Sequence, residues 1–268
     1  MTTAASGGNT MGKKSKRKSA SQDVPRDDWS ERRAFLTAFI AQPLNTGSDD
    51  DNDASDGGAA SSGPDEHTNP SDTSGGRHPS TNQPDLTPDD ATLAKVREKL
   101  ELPPTDHTIG AARTSIPGLE AKGYFGVSSR LRGIAKQPRL DALYGEDRPI
   151  KSPNQNPQKR DHAEEDMLNA IHKDLERLGL SDTDLEGHVI DVLISKDDGV
   201  CTTCSGGLLS YKYKDGVIKQ FSMMYPTLTL RISAQGGNAL QFTPVIDGKV
   251  VDKSRKVLIV RNGEMVDE

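Results

Sequence analysis

Two short stretches of the sequence, "DHAEEDMLNAI" (161–171) and "GVCTTC" (199–204), decide the fold. The first opens a segment in which apolar residues recur with helical period, so it predicts the start of a helix that ends at Gly179. Between the two stretches, "HVIDVLIS" (188–195) is an almost continuous apolar run, which is typical of a buried strand. The second stretch then predicts the start of another helix. A helix, a strand and a helix in succession indicate an α/β domain.

The two predicted helix starts carry side chains that bind metals. The chain contains two cysteines, Cys201 and Cys204, and both lie in one C-x-x-C. At a helix N-terminus the backbone dipole favours the thiolate form that binds a metal. His162, at the other helix start, offers a third ligand, and catalytic zinc takes three ligands from protein. Glu164 follows two residues later, where a carboxylate could move a proton without binding the metal. The pattern predicts one zinc ion per chain.

Each part of this pattern has a simpler explanation when it is taken alone. A single C-x-x-C is also found in redox dithiol proteins, and an acidic residue in the first turn of a helix suits the dipole without any catalytic role. A non-catalytic zinc module would need a fourth cysteine or histidine, and the sequence offers none in a suitable position. The combination of H-x-E with C-x-x-C is the signature of the zinc nucleobase deaminases, which favours catalysis.

The neighbouring titratable residues receive structural interpretations. Glu165 and Asp166 follow Glu164 directly, and we expect both to be solvated acids of the first helical turn. His172 lies ten residues into the same helix, and His188 opens the buried strand. We expect neither histidine to bind the metal.

The composition divides the chain into two regions. Residues 1–86 are acidic and of low complexity, so they bury too little apolar surface to fold and predict a largely disordered region. A short amphipathic helix is predicted at 28–42, which could bind a partner or pack against the rest of the chain. The folded domain is predicted at 87–268, with a core at 107–233 and additional C-terminal strands at 240–265.

Charge and hydropathy limit the classes of partner. Residues 1–90 carry 9 Lys and Arg against 15 Asp and Glu, and the rest of the chain carries 25 of each. A neutral domain neither requires nor excludes a nucleic-acid partner. No stretch has the 18 or more apolar residues of a membrane span, and the first 20 residues lack the apolar core of a secretory signal. A cytoplasmic location and export by a specialised system both stay open.

Over residues 108–233 the chain resembles the bacterial toxin-type deaminases, the polymorphic-toxin branch of the cytidine deaminase-like superfamily. The resemblance rests on "GAARTSIPGLE", "NPQKRDHAEEDMLNAI", "GVCTTCSGGL" and "GVIKQFSMMYPTLTLRI". It implies an α/β/α sandwich with a mixed sheet and a zinc site at two helix N-termini. The general pattern of the superfamily has proline directly before the first cysteine, and here that position is Val200.

The resemblance also implies an activity and its site residues. His162, Cys201 and Cys204 would bind zinc, and Glu164 would be the proton shuttle. The reaction would convert cytosine to uracil in nucleic acid, with single-stranded DNA favoured and RNA or a free nucleoside or nucleotide as alternatives. The protein would act as a bacterial toxin and would have a cognate immunity protein.

The resemblance also implies substrate contacts from residues that precede or adjoin His162. The stretch "ARTSIPGL" would line the pocket, which makes Arg113 and Ser115 candidates for substrate contact. Asn156, ahead of the motif helix, could hydrogen-bond a base or ribose, and Ala163 is a further candidate beside His162.

Overall fold

The structure of this protein is a computed structural model that describes residues 33–34, 37–38, 87–104, 107–154, 160–196, 199–208, 214–242, 245–246, 249–250 and 253–267. The predicted disordered region and most of the predicted helix at 28–42 lie outside the described residues. Residues 33–34 and 37–38 are helical, as expected for this helix.

From residue 87 onward, the described chain contains six α-helices and ten strands. The helices are α1 (Asp90–Lys99), α2 (Ser129–Ile134), α3 (Leu140–Tyr144), α4 (Ala163–Leu178), α5 (Asp182–Leu185) and α6 (Val217–Met224). The strands are β1 (Ile109–Thr114), β2 (Tyr124–Val127), β3 (Val189–Ile194), β4 (Thr229–Ala234), β5 (Leu240–Phe242), β6 (Val245–Ile246), β7 (Lys249–Val250), β8 (Lys253–Arg255), β9 (Val257–Arg261) and β10 (Glu264–Val266). A single 3₁₀ turn (Gln235–Gly237) follows β4.

Six strands form one mixed sheet in the order β10-β9-β4-β3-β1-β2. Strands β3 and β4 are parallel, and every other neighbouring pair in this sheet is antiparallel. Gly110, at the start of β1, lies opposite Ile194, at the end of β3. The end of β3 therefore lies beside the start of β1. From this end of the sheet the chain continues to the cysteines. The remaining strands form two small pairs, β5 with β8 and β6 with β7.

Helices cover both faces of the sheet. One apolar cluster joins α4 and α6 to the sheet, including Met167 of α4 and Phe221 of α6. A second cluster joins α1 and α2 to the opposite face through Leu93, Val96 and Leu131. This three-layer arrangement is compatible with an α/β/α sandwich and confirms the predicted α/β class with a mixed sheet.

The periodicity-based predictions agree with the structure for the central elements. Helix α4 and strand β3 form where the pattern indicated, and Gly179 ends α4 in the left-handed conformation with φ of 65°. The N-cap of α1 is Asp89, whose carboxylate accepts a hydrogen bond from the Thr92 N–H at 2.8 Å. The segment after β2 contains the short helices α2 and α3.

The C-x-x-C does not open a helix, which corrects the expectation of two helix N-termini at the site. Residues 202–205 and 207–208 form turns on either side of a bridge residue, Gly206, and the next helix among the described residues, α6, begins at Val217. Gly206 and Gly207 follow the cysteines, and Gly207 has a left-handed φ of 73°. A left-handed residue cannot continue a right-handed helix, so the chain turns away.

The C-terminal strands, expected as additions to the core, include two that complete the main sheet. Strand β9 pairs with β4 from Leu230↔Val260 to Ser233↔Val257, and β10 covers the outer edge of β9. Val260 and Leu258 of β9 are buried in the same cluster as α4 and α6.

Candidate metal centre

His162 stands at the N-cap of α4, in extended conformation with φ of −73° and ψ of 156°. The helix start lies directly on β2, because Gly126 leaves room for the backbone of Ala163. A Cβ on Gly126 would lie 1.9 Å from the Ala163 carbonyl oxygen. The residue before the histidine, Asp161, is buried, has a φ of 61° and forms an ion pair with Arg139. The backbone on both sides of His162 is therefore held by close packing and by a buried charge.

The two cysteines lie on one closed turn. The Ser205 N–H donates to the Cys201 carbonyl at 3.0 Å, and the Cys204 N–H approaches Cys201 Sγ at 3.4 Å. The start of α6 packs against this turn, where Ile218 N–H donates to the Cys204 carbonyl at 3.3 Å. Gly216 makes this contact feasible, since a Cβ there would lie 2.3 Å from the same carbonyl oxygen. The turn thus takes its position from α6.

The three predicted ligands converge. The ligand atoms of His162, Cys201 and Cys204 all lie within 4.8 Å of one another, and Cys201 Sγ lies 3.3 Å from His162 Nδ1. In a tetrahedral zinc site, bond lengths of about 2.0 to 2.3 Å would place such donors about 3.5 to 3.8 Å apart. Two sulfurs and an imidazole nitrogen are also the donor types that zinc prefers. This group can hold a metal ion, and its chemistry fits zinc.

The local environment shifts the pKa values of the two cysteine thiols in opposite directions. A hydrogen bond from the Cys204 thiol and interactions with His162 lower the pKa of Cys201 to about 4. Burial raises the pKa of Cys204 well above its ordinary value, and Cys201 and Glu164 raise it further. Cys201 is therefore a thiolate near neutral pH, which is the form that binds a metal.

Glu164 lies in the first turn of α4 beside the three ligands and is 3% exposed. Burial raises its pKa to about 7, the Cys201 thiolate adds to the rise, and His162 opposes it. The surroundings are apolar, and Glu164 lines a small cavity with Met167, Leu168, Val192, Ile218, Leu230 and Ile232. A carboxyl in such a place is balanced between its neutral and charged forms near pH 7.

The other two acids of the first turn are buried as well, so the expectation that Glu165 and Asp166 are solvated is wrong. Both have 0% exposure. Arg148 donates to Glu165 Oε1 through Nε at 3.1 Å and through an Nη at 2.7 Å. Arg132 donates to Asp166 Oδ2 at 2.6 Å, and the Tyr144 hydroxyl donates to Oδ1 at 3.0 Å. The charge of each acid is neutralised inside the protein, which is the usual condition for burying a carboxylate.

These arginines are the site residues that sequence reasoning missed. Residues 130–160 carry eight Lys and Arg against three Asp and Glu, directly ahead of the acidic turn that begins α4. This complementarity of charge along the chain was the available signal for the ion pairs.

Arg113 and Ser115 are not brought to the metal group. Strand β1 runs antiparallel to β3, so Ser115 lies beside the first residue of β3 and accepts from the Val189 N–H at 3.0 Å. The metal group lies at the other end, where the end of β3 and the start of α4 meet. Gly118, in the same stretch as Ser115, instead approaches Leu178, the last residue of α4. The predicted position of "ARTSIPGL" beside the pocket is therefore corrected.

The remaining two candidates for substrate contact have different outcomes. Ala163 lies next to His162, is fully buried and packs against β2, so its backbone positions the histidine. Asn156 lies outside the described residues.

Comparison with known proteins found no matching protein-family model, curated protein or solved structure. Among the described residues, no helix combines the length and the apolar character needed to cross a bilayer. The interpretation of the site therefore depends on its geometry and chemistry.

Proposed function

We propose that this protein is a zinc-dependent hydrolytic deaminase that converts cytosine to uracil in nucleic acid. One observation carries the proposal: a His/Cys/Cys group and a buried carboxyl meet at the start of one helix. The pKa of that carboxyl, Glu164, is raised to about 7 by burial and by the Cys201 thiolate. A group with such a pKa can both accept and release a proton near neutral pH, as a general acid and base must.

His162, Cys201 and Cys204 would hold the zinc ion. When bound, zinc supplies Lewis acidity and lowers the pKa of a coordinated water. Within the part of the chain that the structure describes, no fourth His, Cys, Asp or Glu joins this group. Three protein ligands and a free position are typical of catalytic zinc, whereas a structural zinc module closes its site with four. The ligand number thus favours an enzyme over a non-catalytic zinc-binding module.

Glu164 would move the proton. The overall change replaces the exocyclic amino group at C4 of cytosine with an oxygen from water and releases ammonia. Glu164 accepts a proton from the attacking water and then donates it to the departing nitrogen. Its apolar surroundings keep bulk water from competing for that proton, and its hydrogen bond with Cys204 fixes its orientation towards the ligands.

The charge of the segment ahead of the motif helix supports a nucleic-acid substrate. Residues 130–160, which precede the motif helix, have five more basic than acidic residues. Arg132 and Arg148 are buried in ion pairs, but Arg130 and Lys136 are exposed and can contact phosphates. Single-stranded DNA is the first choice, because the target base is then already accessible. RNA and free cytidine are the alternatives, and the role as a toxin with an immunity protein rests on the sequence resemblance.

The test compares the full chain with the Glu164→Gln variant. Glu176→Gln is the matched control, because this residue lies on the same helix with a side chain that is 66% exposed. Bound zinc is measured by elemental analysis, and cytosine conversion is measured on single-stranded DNA, duplex DNA, RNA and free cytidine. We expect one zinc per chain in all three proteins. Conversion should fall at least about 100-fold in Glu164→Gln alone, since general acid–base catalysis contributes about that much or more.

Three results would contradict the proposal. Full activity of Glu164→Gln would show that Glu164 is not the proton shuttle. Bound zinc in the wild-type protein without conversion of any cytosine substrate would favour the non-catalytic module, and oxidation of the cysteine pair without zinc would favour the redox dithiol.

A further inference from the structure

An arginine from the N-terminal region enters the folded domain and pairs with the motif helix. Both terminal nitrogens of Arg33 lie 3.2 Å from Asp166 Oδ1, although 133 positions separate the two residues in sequence. The Arg33 side chain is 19% exposed and that of Asp166 is 0% exposed. A charged pair with so little exposure differs from an ordinary surface salt bridge, which contributes little.

Aromatic rings surround the same guanidinium. The central carbon of the Arg33 guanidinium lies 5.3 Å from the ring centroid of Phe125 and 5.6 Å from that of Tyr144. These are distances at which a cation is attracted to an aromatic face. The Tyr144 hydroxyl also donates to Asp166 Oδ1, so the same carboxylate oxygen accepts hydrogen bonds from Tyr144 and from Arg33. Arginine suits this place better than lysine, because its planar group can stack and form two hydrogen bonds at once.

A second, independent contact lies one helical turn further along. The Gly123 N–H, just ahead of β2, donates to the Thr37 carbonyl at 3.1 Å. Residues 34, 37 and 38 line a surface depression together with Lys122, Tyr124 and Ala170 of the domain. This N-terminal segment therefore contacts the domain through the side chain of Arg33 and the backbone of Thr37.

The domain can balance the charge of Asp166 without the N-terminal residues. Arg132 holds the other carboxylate oxygen at 2.6 Å and is itself buried. If Arg33 were lost, Asp166 would still be paired with Arg132 and would not become an isolated buried charge. The arginine adds to a site that is already folded, as a ligand does.

We propose that Arg33, Ala34, Thr37 and Ala38 form an intramolecular ligand of the domain and that Asp166, Phe125 and Tyr144 form its receptor. Residues 39–86, 48 positions in all, connect this ligand to Thr87, where the description of the domain begins. A connection of that length keeps the ligand at an effective concentration on the order of millimolar, so that a weak contact stays formed. Asp166 lies two residues after Glu164, so the ligand binds the same helical turn that carries the candidate metal centre.

Hydrogen exchange in the full chain tests this proposal from both sides of the contact. The reporters are the amides of Arg33, Ala34, Thr37 and Ala38 and the Gly123 N–H, which donates to the Thr37 carbonyl. In Arg33→Ala we expect both to exchange at least about tenfold faster, because opening of the contact governs their protection. Arg33→Lys keeps the charge but loses the planar guanidinium that forms two hydrogen bonds, so the acceleration should be smaller in this variant. The paired amides of β3 and β4 should keep their rates.

The matched control is Arg130→Ala, which removes an exposed arginine of α2. This variant should leave both reporters unchanged. Unchanged exchange at Gly123 in Arg33→Ala would overturn the proposal and leave the receptor surface for a separate partner. Equal acceleration in the Arg130 control, or faster exchange throughout β3 and β4, would also overturn it, since the effect would then be general destabilisation. None of these readouts depends on zinc or on deamination.

Discussion

Gly126 is the position at which a single methyl group should dismantle the candidate metal centre. It lies in β2, under the first residue of α4, and a Cβ there would lie 1.9 Å from the Ala163 carbonyl oxygen and 2.8 Å from its carbon. Both are backbone atoms, so no side-chain rotation can relieve the clash. In Gly126→Ala the start of α4 must move away from the sheet.

The size of that movement follows from the contact distance. A carbon and a carbonyl oxygen in close contact lie about 3.3 Å apart, so the helix start must shift by roughly 1.4 Å. His162 is the residue directly before Ala163 and would move with it, whereas metal sites tolerate about 0.2 Å. Overpacking of this kind costs about 1–3 kcal/mol, which in a domain of this size lowers Tm by about 2–12 °C.

Thermal unfolding and zinc content of the purified variant measure both effects. We expect Gly126→Ala to show a lower Tm and to lose most of its zinc. Gly133→Ala is the control, because a Cβ at this exposed position in α2 would meet nothing within 4 Å. It should retain zinc and gain about 0.5–1 kcal/mol, the ordinary preference for alanine over glycine in a helix. A Gly126→Ala protein with wild-type Tm and zinc content would refute the packing argument.

Two further substitutions test the cysteine turn and the buried acid. Gly216→Ala would place a Cβ 2.3 Å from the Cys204 carbonyl oxygen, so we expect it to displace the turn and reduce bound zinc in elemental analysis; unchanged zinc would contradict this. Burial acts to raise the pKa of Asp166, but Arg132 and Arg33 outweigh it and hold the pKa below its ordinary value. The stabilisation is therefore complete above the unfolded pKa of about 3.9 and is lost as pH falls through the lower folded pKa. Asp166→Asn should be less stable than wild type at pH 7 and should show a flatter loss of Tm below about pH 4, and parallel Tm curves would contradict the assignment.

The sequence was sufficient to predict the elements that have a strong period or strong end signals. Helix α4 has apolar residues at helical spacing and a glycine at its end, and β3 is an apolar run between turn residues. The convergence of His162, Cys201 and Cys204 was also predicted, because cysteine is rare in this chain and both copies stand three residues apart. Each of these signals comes from residues that are close together in the sequence, so contacts with distant parts of the chain do not alter it.

The errors concern features that depend on distant parts of the chain. Acids in a first helical turn are usually solvated, and nothing next to Glu165 or Asp166 reveals that Arg148 and Arg132 will reach them from other elements. Ser115 was placed at the site because of its motif, but the antiparallel direction of β1 carries it to the opposite end of the sheet. Strand direction is set by the whole sheet and is not written in any single strand.

The first turn of α4 shows how one helix can hold carboxyl groups in different protonation states. Glu164 and Asp166 are two residues apart and almost fully buried. Asp166 faces two arginines, which outweigh burial and lower its pKa. Glu164 faces apolar side chains and a thiolate, so burial raises its pKa to about 7. Two neighbouring carboxyls whose pKa values are moved in opposite directions are typical of a division between structure and chemistry. Asp166 pairs with Arg132 and with Arg33, and these ion pairs hold the helix turn that places Glu164 beside His162 and the two cysteines.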